Sequence, residues 1–148
     1  MSVEIAVIDS SVAVEALTRS RYTRLARETL AELAGRAAML VPQGLFHAEA
    51  LSGLRRAYLR GAATSLVGLV DALYRLPVHP VEVDRSLALL AAEVSLRTGC
   101  EARDAVYIAL ASTLNAKLYT LDAGQAAAAA KILGRDRSIY LPGLQGKA

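Results

Sequence analysis

At 148 residues the chain is long enough for one hydrophobic core and too short for two, so a single domain spanning 1–148 is expected. Its 54% hydrophobic and 21% charged residues exclude a disordered chain, and no apolar run reaches the roughly eighteen residues a membrane span needs. A net charge of +3 identifies no partner, but only Lys117, Lys131 and Lys147 of the 17 basic residues are lysines, and arginine's planar fork suits phosphate.

The apolar run Val3 to Ile8 reads as a strand, with no basic segment ahead of it to suggest a secretory signal. A short helix is expected from Ser11 to Leu17. A second runs from Tyr22 to Ala34, ending near Gly35 in a left-handed cap. "AAMLVP" is the next strand, stopped by Pro42. Helices follow at Leu45–Arg60 and Ala62–Arg75, separated by Gly61. "VHPVEV" is a marginal strand, and helix resumes from Asp84 to Thr98, closed by Gly99. Cys100, the single cysteine, excludes an internal disulfide and suits a reducing compartment, so a cytoplasmic location is expected. "EARDAVYIALASTLNA" reads as a helix, "KLYTL" as a strand, "AGQAAAAAKIL" as a helix and "SIYLP" as a last short strand, with a frayed tail from about 143. Strands alternating with helices predict an α/β fold, a three-layer α/β/α sandwich around a mainly parallel sheet.

In such sheets ligands bind outside the carboxyl ends of the strands. Asp9 stands there after the first strand, and Asp122 after "KLYTL". Two further acids come from helices. Asp104 lies in the first turn of a helix whose body from Ala105 to Ala111 is apolar except for the Tyr107 hydroxyl, and the helix dipole favours a carboxylate there. Glu49 has Leu45, Phe46, Ser52 and Gly53 three and four positions away, which predicts a half-buried slot with free space above it. Each acid also has an ordinary explanation. Asp122 with Gln125 fits a capping box, Asp9 caps a helix or closes a turn with the serines, Asp104 serves the dipole, and Glu49 is a solvated position. The ordinary explanations do not predict that all four reach one rim. Carboxylates gathered there would hold their protons at neutral pH unless a cation were present. Hard oxygen donors without cysteine or histidine select Mg2+ or Mn2+ over zinc. Ser10, Ser11 and Thr120, beside two of the acids, are candidates to orient carboxylates or bound water.

"VIDSSV", the glutamate of "FHAEALSGL", "RDAVYIALA" and "LYTLD" together resemble the PIN domain, and within it the toxins of VapBC-type toxin–antitoxin pairs. The resemblance runs from Asp9 to beyond Asp122. It implies a ribonuclease with an acidic pocket for Mg2+ or Mn2+. Asp9, Glu49, Asp104 and Asp122 match its four acidic positions, and Thr120 and Ser10 match the small hydroxyl positions. "DAGQAAAAA" departs from the family after the last acid, which puts a fifth acidic ligand in doubt. The implied partners are an RNA substrate and a small antitoxin protein, and the apolar helices leave room for a dimer face, so a homodimer is expected. Arg55, Arg56 and Arg103 are the candidate substrate-binding cations, with a solvated helix surface as the ordinary alternative for Arg55 and Arg103. Arg19, Arg21, Arg24 and Arg27 form a basic segment that suits an acidic or amphipathic antitoxin. His47 and His79 qualify as general bases by type alone.

Two rival readings share the fold. An aspartate-based phosphatase would want a second Asp two residues after Asp9, where Ser11 stands, and a receiver-type phosphoacceptor would want paired acids before the first crossover. A non-catalytic RNA-binding or scaffold module would have lost one or more of the four acids, and none is lost. Dinucleotide binding is disfavoured because "DSSVAVEAL" lacks the glycines that let a pyrophosphate approach the backbone.

Overall fold

The structure, a computed structural model, describes residues 3–144. The chain runs β1 (Glu4–Ile8), α1 (Ser10–Leu17), α2 (Thr23–Arg36), β2 (Ala37–Pro42), α3 (Leu45–Leu59), α4 (Leu66–Arg75), β3 (Val78–Val81), α5 (Arg85–Thr98), α6 (Ala102–Thr113), β4 (Lys117–Thr120), α7 (Ala123–Leu133) and β5 (Ser138–Tyr140). Short 3-10 turns occupy Arg135–Arg137 and Leu141–Leu144. The tail expected from about 143 therefore begins in an ordered turn, and residues 145–148 lie outside the described part.

The five strands form one sheet in the order β3-β2-β1-β4-β5, and every pairing is parallel. A parallel sheet covered on both faces wants strands that are apolar on both sides, and β1 supplies this: Ala6, Val7 and Ile8 are wholly buried. From β1 the chain steps outward through β2 to β3, then returns across the sheet to β4 and β5 on the other side. Right-handed crossovers put the helices of the two excursions on opposite faces. Accordingly α1 packs with α2, α3 and α4, whereas α6 packs with α5 and α7. The reversal makes the carboxyl ends of β1 and β4 the topological switch point, where the strand ends splay helices apart and leave a crevice.

Some boundaries differ from expectation. Gly35 stays helical and α2 runs on to Arg36, passing straight into extended Ala37 with no left-handed glycine. Residues 61–65 form a loop that starts at Gly61, whose φ of 83° needs a residue without a Cβ, so α4 begins at Leu66 rather than Ala62. Ser65 caps α4 by accepting from Gly68 N at 3.0 Å. The helix of "EARDAVYIALASTLNA" stops at Thr113, because the chain turns at Asn115 with a φ of 52°. "VHPVEV" does contain a strand, β3, four residues at the sheet edge where Pro80 is tolerated.

Candidate active site

Asp9 leaves β1 at the switch point and starts α1. Its backbone N donates to Tyr119 O of the neighbouring strand at 3.0 Å, which fixes it beside the end of β4. Its Oδ2 accepts from Ser11 N at 3.1 Å and from Ser11 Oγ at 2.5 Å, and Thr120 Oγ1 lies 3.2 Å away. The helix cap expected of Asp9 is therefore real, and it uses one oxygen; Oδ1 has no hydrogen bond among the described residues. Burial pushes the Asp9 carboxyl pKa up, against the opposing Ser11 hydroxyl and backbone N–H.

Asp122 caps α7 through Oδ1, which accepts from Gln125 N at 3.0 Å. Only half of a capping box forms. The Gln125 side chain, 1% exposed, turns inward instead of back to the Asp122 backbone. Its Oε1 accepts from Thr120 Oγ1 at 2.7 Å, and its Nε2 reaches the Asp104 carbonyl at 3.4 Å. Thr120 Oγ1 accepts from Asp122 N, and Ser11 Oγ accepts from Leu121 N, both at 3.0 Å. These hydroxyls thus join the end of β1 to the end of β4, with Gln125 extending the tie to α6.

Glu49 comes from α3 in one helical layer and Asp104 from α6 in the other. Glu49 Oε1 accepts from Tyr107 OH at 2.9 Å and from Ser10 Oγ at 3.4 Å, while Oε2 lies 3.8 Å from Arg103 Nε. Burial raises the Glu49 pKa, with Asp9 adding to the effect and Tyr107 and Arg103 opposing it. The Asp104 carboxylate has no hydrogen bond among the described residues. Its pKa is pushed up to about 6, first by burial and then by Asp122, Asp9 and Glu49. Its place in the first turn of α6 favours the charged form, but burial and the four carboxylates of Asp122, Asp9, Glu49 and Glu101 outweigh that.

All four acids line one open cleft of about 650 Å³, together with Ser10, Ser11, Arg56 and Arg103. Thr120 lies wholly buried behind the cleft wall. Arg55 is exposed outside it, because α3 turns about 100° per residue and the face of Glu49 returns at Arg56. The free space expected above Glu49 is partly taken: a Cβ at Gly53 would stand 2.7 Å from Val14 Cγ2, so the missing side chain admits α1. Neither histidine reaches the cleft. His47 stacks on Tyr74 with ring centroids 4.5 Å apart, and His79 is exposed on β3.

The sequence reading missed Glu15 and Glu101, which also line the cleft, and the buried pair Tyr107 and Gln125. A lone hydroxyl in the apolar stretch Ala105–Ala111, three residues after Asp104, was the available signal for Tyr107; for Gln125 it was the capping box, read for its aspartate alone.

The PIN domain family model matches residues 6–131. The chain belongs to the PIN domain family. Among solved structures, this PIN domain resembles PAE2754 from Pyrobaculum aerophilum, with a TM-score of 0.66 at 20% identity over 98% of this chain and 88% of that one. It also resembles VapBC2 from Rickettsia felis, solved bound to a DNA fragment from their promoter, with a TM-score of 0.59 at 15% identity over 80% and 88% of the two chains. No curated protein gives a sequence match.

PIN domains are in general nucleases that use divalent metal ions. The donor set of this cleft is carboxylate and hydroxyl oxygen throughout, which fits a hard cation. Among the described residues no three acidic, histidine or cysteine side chains are grouped closely enough to enclose an ion by themselves. The cleft therefore fits an ion that keeps part of its water rather than one enclosed by a protein cage.

Proposed function

We propose that this PIN domain is an Mg2+- or Mn2+-dependent endoribonuclease that hydrolyses RNA phosphodiester bonds, acting as the toxin of a VapBC-type pair. The observation that carries the reading is the convergence of Asp9, Glu49, Asp104 and Asp122 from four elements on one cleft, with Asp9 Oδ1 and the Asp104 carboxylate left without protein donors. A divalent ion bound there supplies Lewis acidity, lowering the pKa of water and neutralising charge on the departing oxygen. The chain's own residues do the rest. Asp9, Glu49, Asp104 and Asp122 present their oxygens to the ion, some directly and the others through its water, and Ser11, backed by Thr120, fixes the Asp9 rotamer. Arg56 and Arg103 stand in the cleft wall to receive the RNA backbone, whose phosphates their guanidinium forks match.

The toxin role draws support from the likeness to VapBC2, and the partner is a small antitoxin with an acidic or amphipathic segment. Of the basic segment, Arg24 pairs with Glu28 and Arg27 with the Ala16 carbonyl, and Arg21 lies over the Tyr22 ring. A homodimer suits the exposed Leu51, Leu59, Val67 and Tyr74 on α3 and α4. A cytoplasmic location suits an RNA substrate, and no described helix is long and apolar enough to cross a membrane.

The test is incubation with a mixed RNA pool and Mg2+ or Mn2+, beside Asp9→Asn. Cleavage that requires metal and is lost in the variant is the expected result. Equal RNA binding without cleavage by both proteins would make this a scaffold module instead.

A further inference from the structure

We infer that Tyr107 is a positioning residue that selects which oxygen of Glu49 faces the cleft. The inference rests on the metal-dependent nuclease reading and deepens it.

Tyr107 is wholly buried in α6, within the stretch Ala105–Ala111, where every other side chain is apolar. Packing alone would be served by phenylalanine, and a buried hydroxyl left without a partner costs about 1–3 kcal/mol. Here the hydroxyl donates to Glu49 Oε1 at 2.9 Å. The bond joins α6 to α3, which belong to opposite helical layers, so it spans the crevice at the strand ends. Ser10 Oγ approaches the same oxygen at 3.4 Å. With Oε1 engaged twice from inside, Oε2 is the oxygen turned outward, where the one basic side chain paired with it among the described residues is Arg103 at 3.8 Å.

Glutamate has three side-chain torsions, and an unrestrained Glu49 would swing toward the guanidinium of Arg103, which is mostly exposed and already bonded to Glu101 at 2.8 Å. The Tyr107 bond holds it back. It therefore keeps an acid in the cleft available to a cation without itself touching substrate or metal.

Tyr107→Phe isolates the hydroxyl, since the ring and its packing remain. Mn2+ binding is measured by calorimetry on wild type and variant, with urea midpoints on the same samples, and RNA cleavage is followed against Mn2+ concentration. Loss of a group that orients a metal-binding side chain weakens metal affinity roughly 10–100-fold, and the lower end is expected because Ser10 remains. The RNA KM should stay within about twofold, the half-saturating Mn2+ concentration should rise about tenfold, and cleavage should recover at high Mn2+. A variant with a lower urea midpoint and unchanged Mn2+ affinity would reduce Tyr107 to a packing residue and overturn the inference. Ser10→Ala, which removes the weaker donor from the same oxygen, covers the case in which Tyr107→Phe does not fold. It should weaken Mn2+ binding about threefold, well under the range for losing a full donor, and unchanged binding overturns the inference. A wild-type protein that neither binds Mn2+ nor cleaves RNA overturns the nuclease reading itself, an outcome distinct from wild-type activity that Tyr107→Phe leaves untouched.

Discussion

Asp104 carries its charge at neutral pH against burial and against four neighbouring carboxylates. Its folded pKa of about 6 lies above the ordinary 3.8, so between those values the folded chain binds a proton that the unfolded chain has lost. The stability this group contributes is full below about pH 3.8 and is lost as pH rises through about 6. Asp9 and Glu49, also raised, act in the same direction. In chelator, Asp104→Asn should therefore be more stable than wild type at pH 7. Two pKa units correspond to about 2.7 kcal/mol, and solvent access to this half-buried group reduces the gain to roughly 1–2 kcal/mol. The advantage should disappear at pH 4, where wild-type Asp104 is largely protonated, while RNA cleavage is lost throughout. Urea titrations at the two pH values check it; an equal gain at both would assign the effect to something other than the charge. What the sequence showed at this scale was the acids themselves, since an aspartate that ends an apolar strand stands out. The partners that aim them did not show: Gln125 and Tyr107 lie in alanine-rich and apolar helices whose pattern says only that they are buried.

The contact of α1 with α3 sets the distance between the elements that carry Asp9 and Glu49. It closes on Gly53, where an added Cβ would meet Val14 Cγ2 at 2.7 Å and Cγ1 at 3.2 Å. Valine in a helix has essentially one χ1 rotamer, so turning its methyls away from Gly53 is itself unfavourable. Alanine regains about 1 kcal/mol of helix propensity, but overpacking at so short a separation costs typically 1–3 kcal/mol. Gly53→Ala should be destabilised on balance by about 1 kcal/mol, with a larger proportional loss of cleavage because the two helices must part. Thermal melts beside activity assays check this, and Gly35→Ala is the control, as a Cβ there meets nothing within 4 Å. Helices and strands were legible from periodicity because a parallel sheet leaves few other ways to bury "IAVI" and "KLYTL". Helix ends were less so. Gly35 reads as a stop from sequence, but α2 can pass directly into β2, and nothing in "GAATS" separates a loop from a helix start until Ser65 is seen accepting from Gly68 N.

At the scale of the whole molecule the order β3-β2-β1-β4-β5 determines where the charges meet. Alternation of strands and helices predicted a parallel sheet, but strand order depends on long-range pairing that no local pattern encodes; the neighbourhood of β1 and β4 could be assumed from sequence and is seen in the pairing of Ile8 with Tyr119. A site assembled this way has a global signature. Four carboxylates converge without a compensating cation of their own beyond Arg56 and Arg103, so the fold holds electrostatic repulsion that a bound divalent ion relieves. A ligand that binds only the folded state stabilises it by about 2.7 kcal/mol at one hundred times its Kd. For a chain of this size that is roughly 5–10 °C in Tm. Mn2+ should raise the melting temperature of wild type by this order and that of Asp9→Asn by much less, and chelator should reverse the wild-type rise. The rise should grow from pH 5 to pH 8, as Asp104 loses its proton and the ion no longer competes with it. A rise of equal size in wild type and in Asp9→Asn would mean that the ion binds elsewhere on the surface, and the convergence at the switch point would then have no metal to serve.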